Sequence, residues 1–224
     1  MDNMISPPKL LTKGAEASLY LANWQNRQVI IKNRVPKAYR VAKLDNQIRS
    51  YRTVHEAQLI HEAKKAGVPT PIIYNVDTAR ASIIMEFVQG QQVKSFLSNI
   101  AENEREKLCH EIGVVIGKLH KAGLIHGDLT TSNIILDNTG KIVLVDFGLG
   151  EKSEELEAKG IDLHLLKRAL QSTHYVHAED CFANVIRGYS QVLGTEAAKD
   201  VLEKIAEVEK RGRYVDERKQ KPSN

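Results

Sequence analysis

Two acidic motifs in a fixed order constrain this chain more than anything else in it. The first is His126-Gly127-Asp128-Leu129-Thr130-Thr131-Ser132-Asn133, and thirteen residues after Asn133 comes Asp146-Phe147-Gly148. The first motif lies between two β-like stretches, Leu124 to His126 and Ile134 to Leu136. Asp128 and Asn133 therefore leave one loop and point into one site, as base and metal ligand. Asp146 follows the apolar run Ile142 to Val145 directly. A carboxylate at a strand end, followed by glycine, suits a divalent cation that bridges phosphates. Alone, Asp146-Phe147-Gly148 is a turn with an Asp cap. The order and spacing of the two motifs point instead to one site for phosphate chemistry.

Two features upstream extend that site. Lys32 ends the run Val29-Ile30-Ile31. A lysine there needs an anionic partner, because an unpaired buried charge is costly, unless its stem snorkels to water. Gly14-Ala15-Glu16-Ala17 lies between two predicted strands, as a tight turn or as backbone that meets a phosphate.

The periodicity predicts strands at Lys9–Thr12, Ser18–Trp24 and Gln28–Lys32, then a helix from Asn46 to Ala66 with Ile48, Tyr51, Leu59 and Ala63 near one face. Gly67 stops that helix, and Pro69 and Pro71 prevent its continuation. Strands at Ile72–Asn75 and Ser82–Glu86 follow, then the connector Phe87 to Gly90. An amphipathic helix spans Glu102 to Ala122, with Gly123 as its stop. Asp137-Asn138-Thr139-Gly140 joins two strands as a hairpin. Helices are expected at Ile161–Leu170, Ala178–Leu193 and Glu196–Val208. The expected architecture is α+β and bilobal: a strand-rich N-terminal lobe (1–88), a reduced helical lobe (89–209) and a basic tail (210–224), with a ligand in the cleft between lobes.

A chain of 224 residues, 42% hydrophobic and 27% charged, has the length and composition of a globular protein with a real core. That excludes a mainly disordered chain, a collagen-like fibre and a disulfide scaffold. No apolar run approaches the roughly 20 residues of a membrane helix, and Met1 to Lys9 lacks the apolar centre of a secretory signal. Cys109 and Cys181 are the two cysteines, outside any C-x-x-C, and read as reduced thiols of a cytosolic protein without structural zinc. The net charge of +4 says little, but its distribution says more. Arg34, Lys37, Arg40, Lys43, Arg49 and Arg52 stand against the single acid Asp45. A second cluster begins at Lys210, Arg211 and Arg213. Each is either a solvated face or a track for a polyanion.

In order and spacing these motifs resemble the phosphoryl-transfer apparatus of the protein kinase superfamily, from about Leu10 to Leu170. Val29-Ile30-Ile31-Lys32 resembles its V-A-I-K strand. Met85-Glu86-Phe87-Val88 resembles the hinge that holds adenine, and Asp162 the helix aspartate that braces the catalytic loop. The glutamate that pairs with the lysine is best matched by Glu56, with Glu62 as the fallback. The departures are specific. Gly127 replaces the arginine that docks a phosphorylated activation loop, and Thr130 stands where a lysine is expected. Only fifteen residues separate Asp146 from Asp162, with no A-P-E between them.

With Gly-Ala-Glu-Ala, the basic stretch Arg34 to Arg52, Gly67-Val68-Pro69-Thr70-Pro71 and the basic tail, the chain resembles the bud-site-selection type of small atypical kinase, the kinase subunit family of the KEOPS complex. That resemblance implies a cytoplasmic serine/threonine kinase and ATPase that uses ATP and Mg²⁺ and supports threonylcarbamoyladenosine modification of tRNA. Its implied partners are the threonylcarbamoyl-transferase subunit, the other KEOPS subunits and tRNA. The implied catalytic residues are Asp128 and Lys32, and the metal ligands Asn133 and Asp146. Nucleotide binding falls to Leu11, Gly14, Ala15, Glu16, Ala17, Leu19, Lys32, Glu56, Glu86 and Val88. RNA or partner contact falls to Lys37, Arg40, Lys43, Arg49, Arg52, Lys210, Arg211 and Arg213. The rival readings are a RIO-type kinase, a small-molecule phosphotransferase of the aminoglycoside or choline type, and a scaffold that binds ATP without turnover.

Overall fold

The computed structural model describes the backbone of residues 7–220 and the side chains of residues 7–210. The chain opens with β1 (Lys9–Lys13), β2 (Ala17–Trp24) and β3 (Arg27–Arg34), followed by the helix α1 (Ala42–Lys65), β4 (Ile73–Asp77) and β5 (Ser82–Glu86). The strands form one antiparallel sheet in the order β1-β2-β3-β5-β4. Gln25 and Asn26, both at positive φ, turn β2 into β3 as a two-residue hairpin requires. Register then places Lys32 opposite Leu19 on one side and Ile83 on the other. Because side chains alternate along a strand, Ile30, Lys32 and Arg34 share one face. Val29 and Ile31 pack on the other with Ala22, Trp24, Tyr74 and Ile84.

The helix α1 starts four residues before the expected Asn46, and its inward face differs from the expected one. Tyr51 is 68% exposed, whereas Asp45, Thr53, Glu56, Leu59, Ile60 and Ala63 are buried. Apolar periodicity misassigned the N-terminal half because its inward face is polar, matched to cations on β3. The C-terminal stop is as expected: Gly67 adopts φ +78°, and Val68 N–H donates to Ala63 O across 3.0 Å, a Schellman closure.

The second half runs β6 (Gly90–Gln92), α2 (Val93–Phe96), α3 (Glu102–Lys121), β7 (Leu124–Ile125), β8 (Ile134–Asp137), β9 (Ile142–Leu144), β10 (Glu151–Lys152), α4 (Leu156–Thr173), α5 (Ala178–Leu193) and α6 (Thr195–Gln220). The expected hairpin is β8–β9, joined by β6 at its edge, while β10 pairs with β7. Asp137 Oδ1 accepts from the backbone of Thr139 and Lys141, and Gly140 at φ +82° closes the turn. The last helix runs longer than the expected Glu196–Val208: α6 continues through Gln220. The side chains of Arg211 and Arg213 lie outside the described residues.

One large core holds most of the molecule together. It joins Leu59, Ile60 and Ala63 of α1 to the apolar faces of α3, α4, α5 and α6 and to Phe147. Both cysteines are buried free thiols in this core. Among the described residues, no helix is long and apolar enough to cross a membrane.

Candidate active site

Lys32 has two anionic partners. Its Nζ lies 2.7 Å from Glu56 Oε1 on α1 and 2.6 Å from Asp146 Oδ1 in the other lobe. Burial pulls the Lys32 pKa down, but the two carboxylates outweigh it and hold the ammonium above its ordinary range. Burial likewise pushes the Asp146 carboxyl up, and the charge and hydrogen bond of Lys32, with Gly148 N–H, bring it below its ordinary range. Asp146 sits at φ +66°, a strained position for a non-glycine residue. The ion pair and the Gly148 N–H bond at 3.2 Å hold it there.

Glu56, not Glu62, is therefore the partner of Lys32; Glu62 pairs with Lys152 across 2.6 Å at the surface. The residue that sequence reasoning missed is Arg34. Its place in the basic stretch groups it with the surface cations, yet it is 3% exposed. Its guanidinium takes the second oxygen of Glu56 at 2.5 Å. The missed signal was spacing: Arg34 is two residues beyond Lys32 on one strand, so both face α1.

The loop after β7 is fixed from beneath. Asp162 on α4 accepts from His126 N–H at 2.8 Å and Gly127 N–H at 2.9 Å, and its Oδ2 lies 3.1 Å from His120 Nε2. Burial raises the Asp162 pKa, but the hydrogen bond from His120 and the neighbouring positive character overcome it. The His126 ring lies 3.0 Å from Val145 O through Nε2 and accepts Asp128 N–H at Nδ1 across 3.3 Å. Burial depresses the His126 pKa, which suits this neutral tautomer. Gly127 has φ +78°, and a Cβ there would fall 2.1 Å from Leu149 O. Backbone crowding thus explains why no arginine stands at this position.

At the tip of the loop, Asn133 Nδ2 donates to Asp128 Oδ2 and to Asp128 O, both at 2.9 Å. That orients the Asp128 carboxylate and turns the Asn133 amide oxygen away from it, where it could serve as a ligand atom. The cleft has two compartments that share Thr12, Leu19, Lys32 and Asp146. One, of about 300 Å³, is lined by Gly14, Ala15, Glu16 and Ala17 above and by Asp128 below. The other, of about 250 Å³, is a more apolar slot lined by Leu11, Ile30, Met85, Val88 and Ile135, with Glu56, Glu86 and Asn133 on its wall. Every residue assigned to base, metal or nucleotide from sequence lines this cleft.

The basic stretch is placed differently from a plain solvated face. Arg49 and Arg40 reach Asp45 at 2.7 and 3.5 Å, and Arg52 reaches Glu16 at 2.6 Å. Lys37 Nζ donates to Ala15 O. The hydrogen bond from Arg49, above all, holds the Asp45 carboxyl below its ordinary range. Lys43 and Lys210 are exposed. Among the described residues, no group of three or more His, Cys, Asp or Glu forms a metal cluster. Asn133 and Asp146 are the residues that could hold Mg²⁺, which takes few protein ligands beside phosphate oxygens and water.

A sheet lobe and a helical lobe, with a lysine–glutamate pair in one and an aspartate-bearing loop in the other, define a protein kinase domain. The model of that domain matches residues 9–213. The chain is 45% identical over 212 residues to "KEOPS complex subunit Bud32" of Pyrococcus abyssi, covering 92% of this chain and 96% of the relative. It is 46% identical over 210 residues to a "Probable bifunctional tRNA threonylcarbamoyladenosine biosynthesis protein" of Methanothermobacter thermautotrophicus, of whose length it spans 37%. The Rio2 kinase of Chaetomium thermophilum, solved as an ADP/Mg²⁺-phosphoaspartate complex, shares the fold: TM-score 0.57, 16% identity, 91% of this chain and 72% of that one. The chain belongs to the protein kinase superfamily and, within it, to the family of the KEOPS complex subunit Bud32.

Proposed function

We propose that this protein is the kinase subunit of a KEOPS complex, an ATP-dependent phosphotransferase and ATPase that supports threonylcarbamoyladenosine formation in tRNA. The observation that carries the chemistry is the convergence of Lys32, Asp128, Asn133 and Asp146 on one cleft. The names and near-complete overlap of the relatives support the KEOPS and tRNA context.

The cleft fits ATP in its own terms. The slot of Leu19, Ile30, Met85, Val88 and Ile135 takes a flat apolar base. The backbone of Gly14 to Ala17 covers the compartment into which Lys32 projects. Lys32 neutralises phosphate charge, and Glu56 and Arg34 fix where its ammonium sits. Asn133 and Asp146 would hold Mg²⁺, which when bound would neutralise phosphate charge. Asp128 accepts the proton of the attacking hydroxyl or water at the oxygen that Asn133 leaves free. Asp162 keeps the loop from shifting. Most of the acceleration comes from positioning and preorganised charge.

The acceptor is water or a serine or threonine hydroxyl. Between Asp146 and α4, which starts at Leu156, the chain holds only the short strand β10. That leaves no platform for an extended peptide and no phosphate-sensing arginine at Gly127. Peptide phosphorylation is therefore slow beside ATP hydrolysis, and phosphatase treatment leaves hydrolysis unchanged.

Single-turnover ATP hydrolysis tests the reading. Asp146→Ala abolishes Mg²⁺-dependent turnover. Asp128→Ala binds nucleotide but turns over about 10²–10⁴-fold more slowly, as for loss of a general base. Wild-type rates in either variant would overturn the catalytic assignment, and no turnover by the wild-type protein would mean that the cleft is an ATP-binding scaffold.

A further inference from the structure

One face of β3 follows the cleft from end to end. Ile30 lines the apolar slot, Lys32 lies on the boundary of the two compartments, and Arg34 lines the phosphate compartment alone. A strand advances about 3.3 Å per residue, so Arg34 leaves the backbone roughly 7 Å beyond Lys32, on the side away from the slot. Asp128 lines that same compartment. Lys32 and Arg34 are the cations on its wall, against the carboxylates of Glu16, Asp128 and Asp146. Neither His126–Asn133 nor Gly14–Ala17 carries a lysine or an arginine. Lys32 is engaged twice, by Glu56 at 2.7 Å and Asp146 at 2.6 Å. Arg34 is engaged less completely. Its Nη2 meets Glu56 at 2.5 Å, and its Nη1 stands 3.4 Å from Thr53 Oγ1. Its Nε is buried and has no hydrogen-bond partner among the described residues. A guanidinium carries five N–H donors, and a buried donor left unmet is costly. The same Nη2 reaches the Asp146-Phe147-Gly148 turn: a Cβ on Gly148 would lie 3.6 Å from it.

We infer that Arg34 is a catalytic residue that contacts the terminal phosphoryl group of ATP as it transfers, an arginine finger supplied from within the chain. The inference rests on the reading of the cleft as an ATP site. In the transfer, the acceptor oxygen bonds to the γ-phosphorus as the bond to the bridging oxygen breaks. ADP leaves with that electron pair, and the acceptor proton passes to Asp128. Charge spreads meanwhile over the three equatorial oxygens of the phosphoryl group, where a preplaced cation in a water-poor site has its largest effect. Lys32, beside the slot, serves the phosphates nearer the base. Arg34, next along the same face, serves the terminal one. Glu56 keeps the guanidinium in place through one nitrogen, and the planar fork offers the phosphoryl oxygens paired donors that an ammonium lacks.

The test compares two ligands on the full chain with Mg²⁺ by calorimetry: ADP alone, and ADP with aluminium fluoride, which mimics the phosphoryl group in transfer. Single-turnover hydrolysis of ATP and melting temperatures accompany both. Arg34→Gln keeps its ADP affinity within about twofold and loses about 10²–10³-fold in affinity for the aluminium fluoride complex, the span for one preorganised donor to a transition state. Its kcat falls by a similar factor while KM for ATP changes little, the pattern of an interaction made only in the transition state. Arg34→Lys keeps a cation beside Glu56 and so decides the matter should Arg34→Gln fail to fold. It binds ADP as wild type does, yet binds the aluminium fluoride complex more weakly than wild type, because an ammonium lacks the fork. If Arg34 acts merely by holding Glu56, and through it Lys32, both ligands weaken by the same factor, and that result overturns the inference. Wild-type affinity for the aluminium fluoride complex in Arg34→Lys overturns it as well. Failure of wild type to bind ADP at all overturns the nucleotide reading, and this inference with it; ADP binding by wild type confines any failure to Arg34.

Discussion

Glu56 is one carboxylate between two buried cations, and its loss has a different consequence from the loss of a surface acid. Glu56→Gln leaves Lys32 and Arg34 each short of a charge partner in the interior. Breaking a buried pair in this way costs about 3–5 kcal/mol. Glu62→Gln removes a partly exposed pair with Lys152 and changes stability by under about 1 kcal/mol. Urea unfolding of the two variants at pH 7 separates them; equal effects would mean that the Glu56 pairs contribute nothing net. His126 supplies a pH dependence. Its folded pKa is depressed below the unfolded 6.5, so the unfolded chain binds the extra proton first as pH falls. The contribution of His126 is therefore complete above pH 6.5 and is lost as pH drops from there through the folded pKa. Urea stability of wild type decreases between pH 7 and pH 5, and His126→Gln shows a shallower decrease. An identical slope in the variant would contradict the burial argument.

At the scale of elements, α3 and α5 meet at two glycines. A Cβ on Gly113 would lie 1.9 Å from Val185 O, and one on Gly188 would lie 1.9 Å from His110 O. The helices therefore pack backbone on backbone, and neither can admit a methyl without moving apart. Gly113→Ala is expected to destabilise by about 1–3 kcal/mol despite the better helix propensity of alanine. Gly113→Ala/Gly188→Ala should cost less than the sum, because one separation relieves both clashes. Thermal unfolding of the three variants measures this, and a stabilised Gly113→Ala would disprove the contact. Elements of this length were legible in the sequence: α3 and α5 have strong apolar stripes and clear stops. The elements β6, α2 and β10 were not, since two to four residues carry no periodicity. They exist because β8, β7 and the packed helices offer them partners.

Over the whole molecule, the two lobes are unequal in what holds them. The sheet's own cluster is small, centred on Ala22, Val29 and Ile84. The inner residues of α1, Leu59, Ile60 and Ala63, belong to the core of the helical lobe. A fragment of residues 1–88 is therefore expected to show no cooperative unfolding by circular dichroism, while the intact chain melts in a single transition. A folded, cooperative fragment would show that the sheet is self-sufficient. By itself the sequence determined the chemistry on offer: Asp128, Asn133 and Asp146, proposed as base and metal ligands, at fixed spacing, a lysine on a core strand, and two lobes of different pattern. These are local, carried by residue type and short separations. Only the tertiary structure decided the partners. It chose Glu56 over Glu62, drew Arg34 inside, turned Tyr51 out and Arg52 onto Glu16. It also brought Lys32 to Asp146 across 114 residues of chain. Such pairings depend on strand register and on which helix face the common core claims, and both are settled cooperatively by packing, beyond the reach of any local pattern.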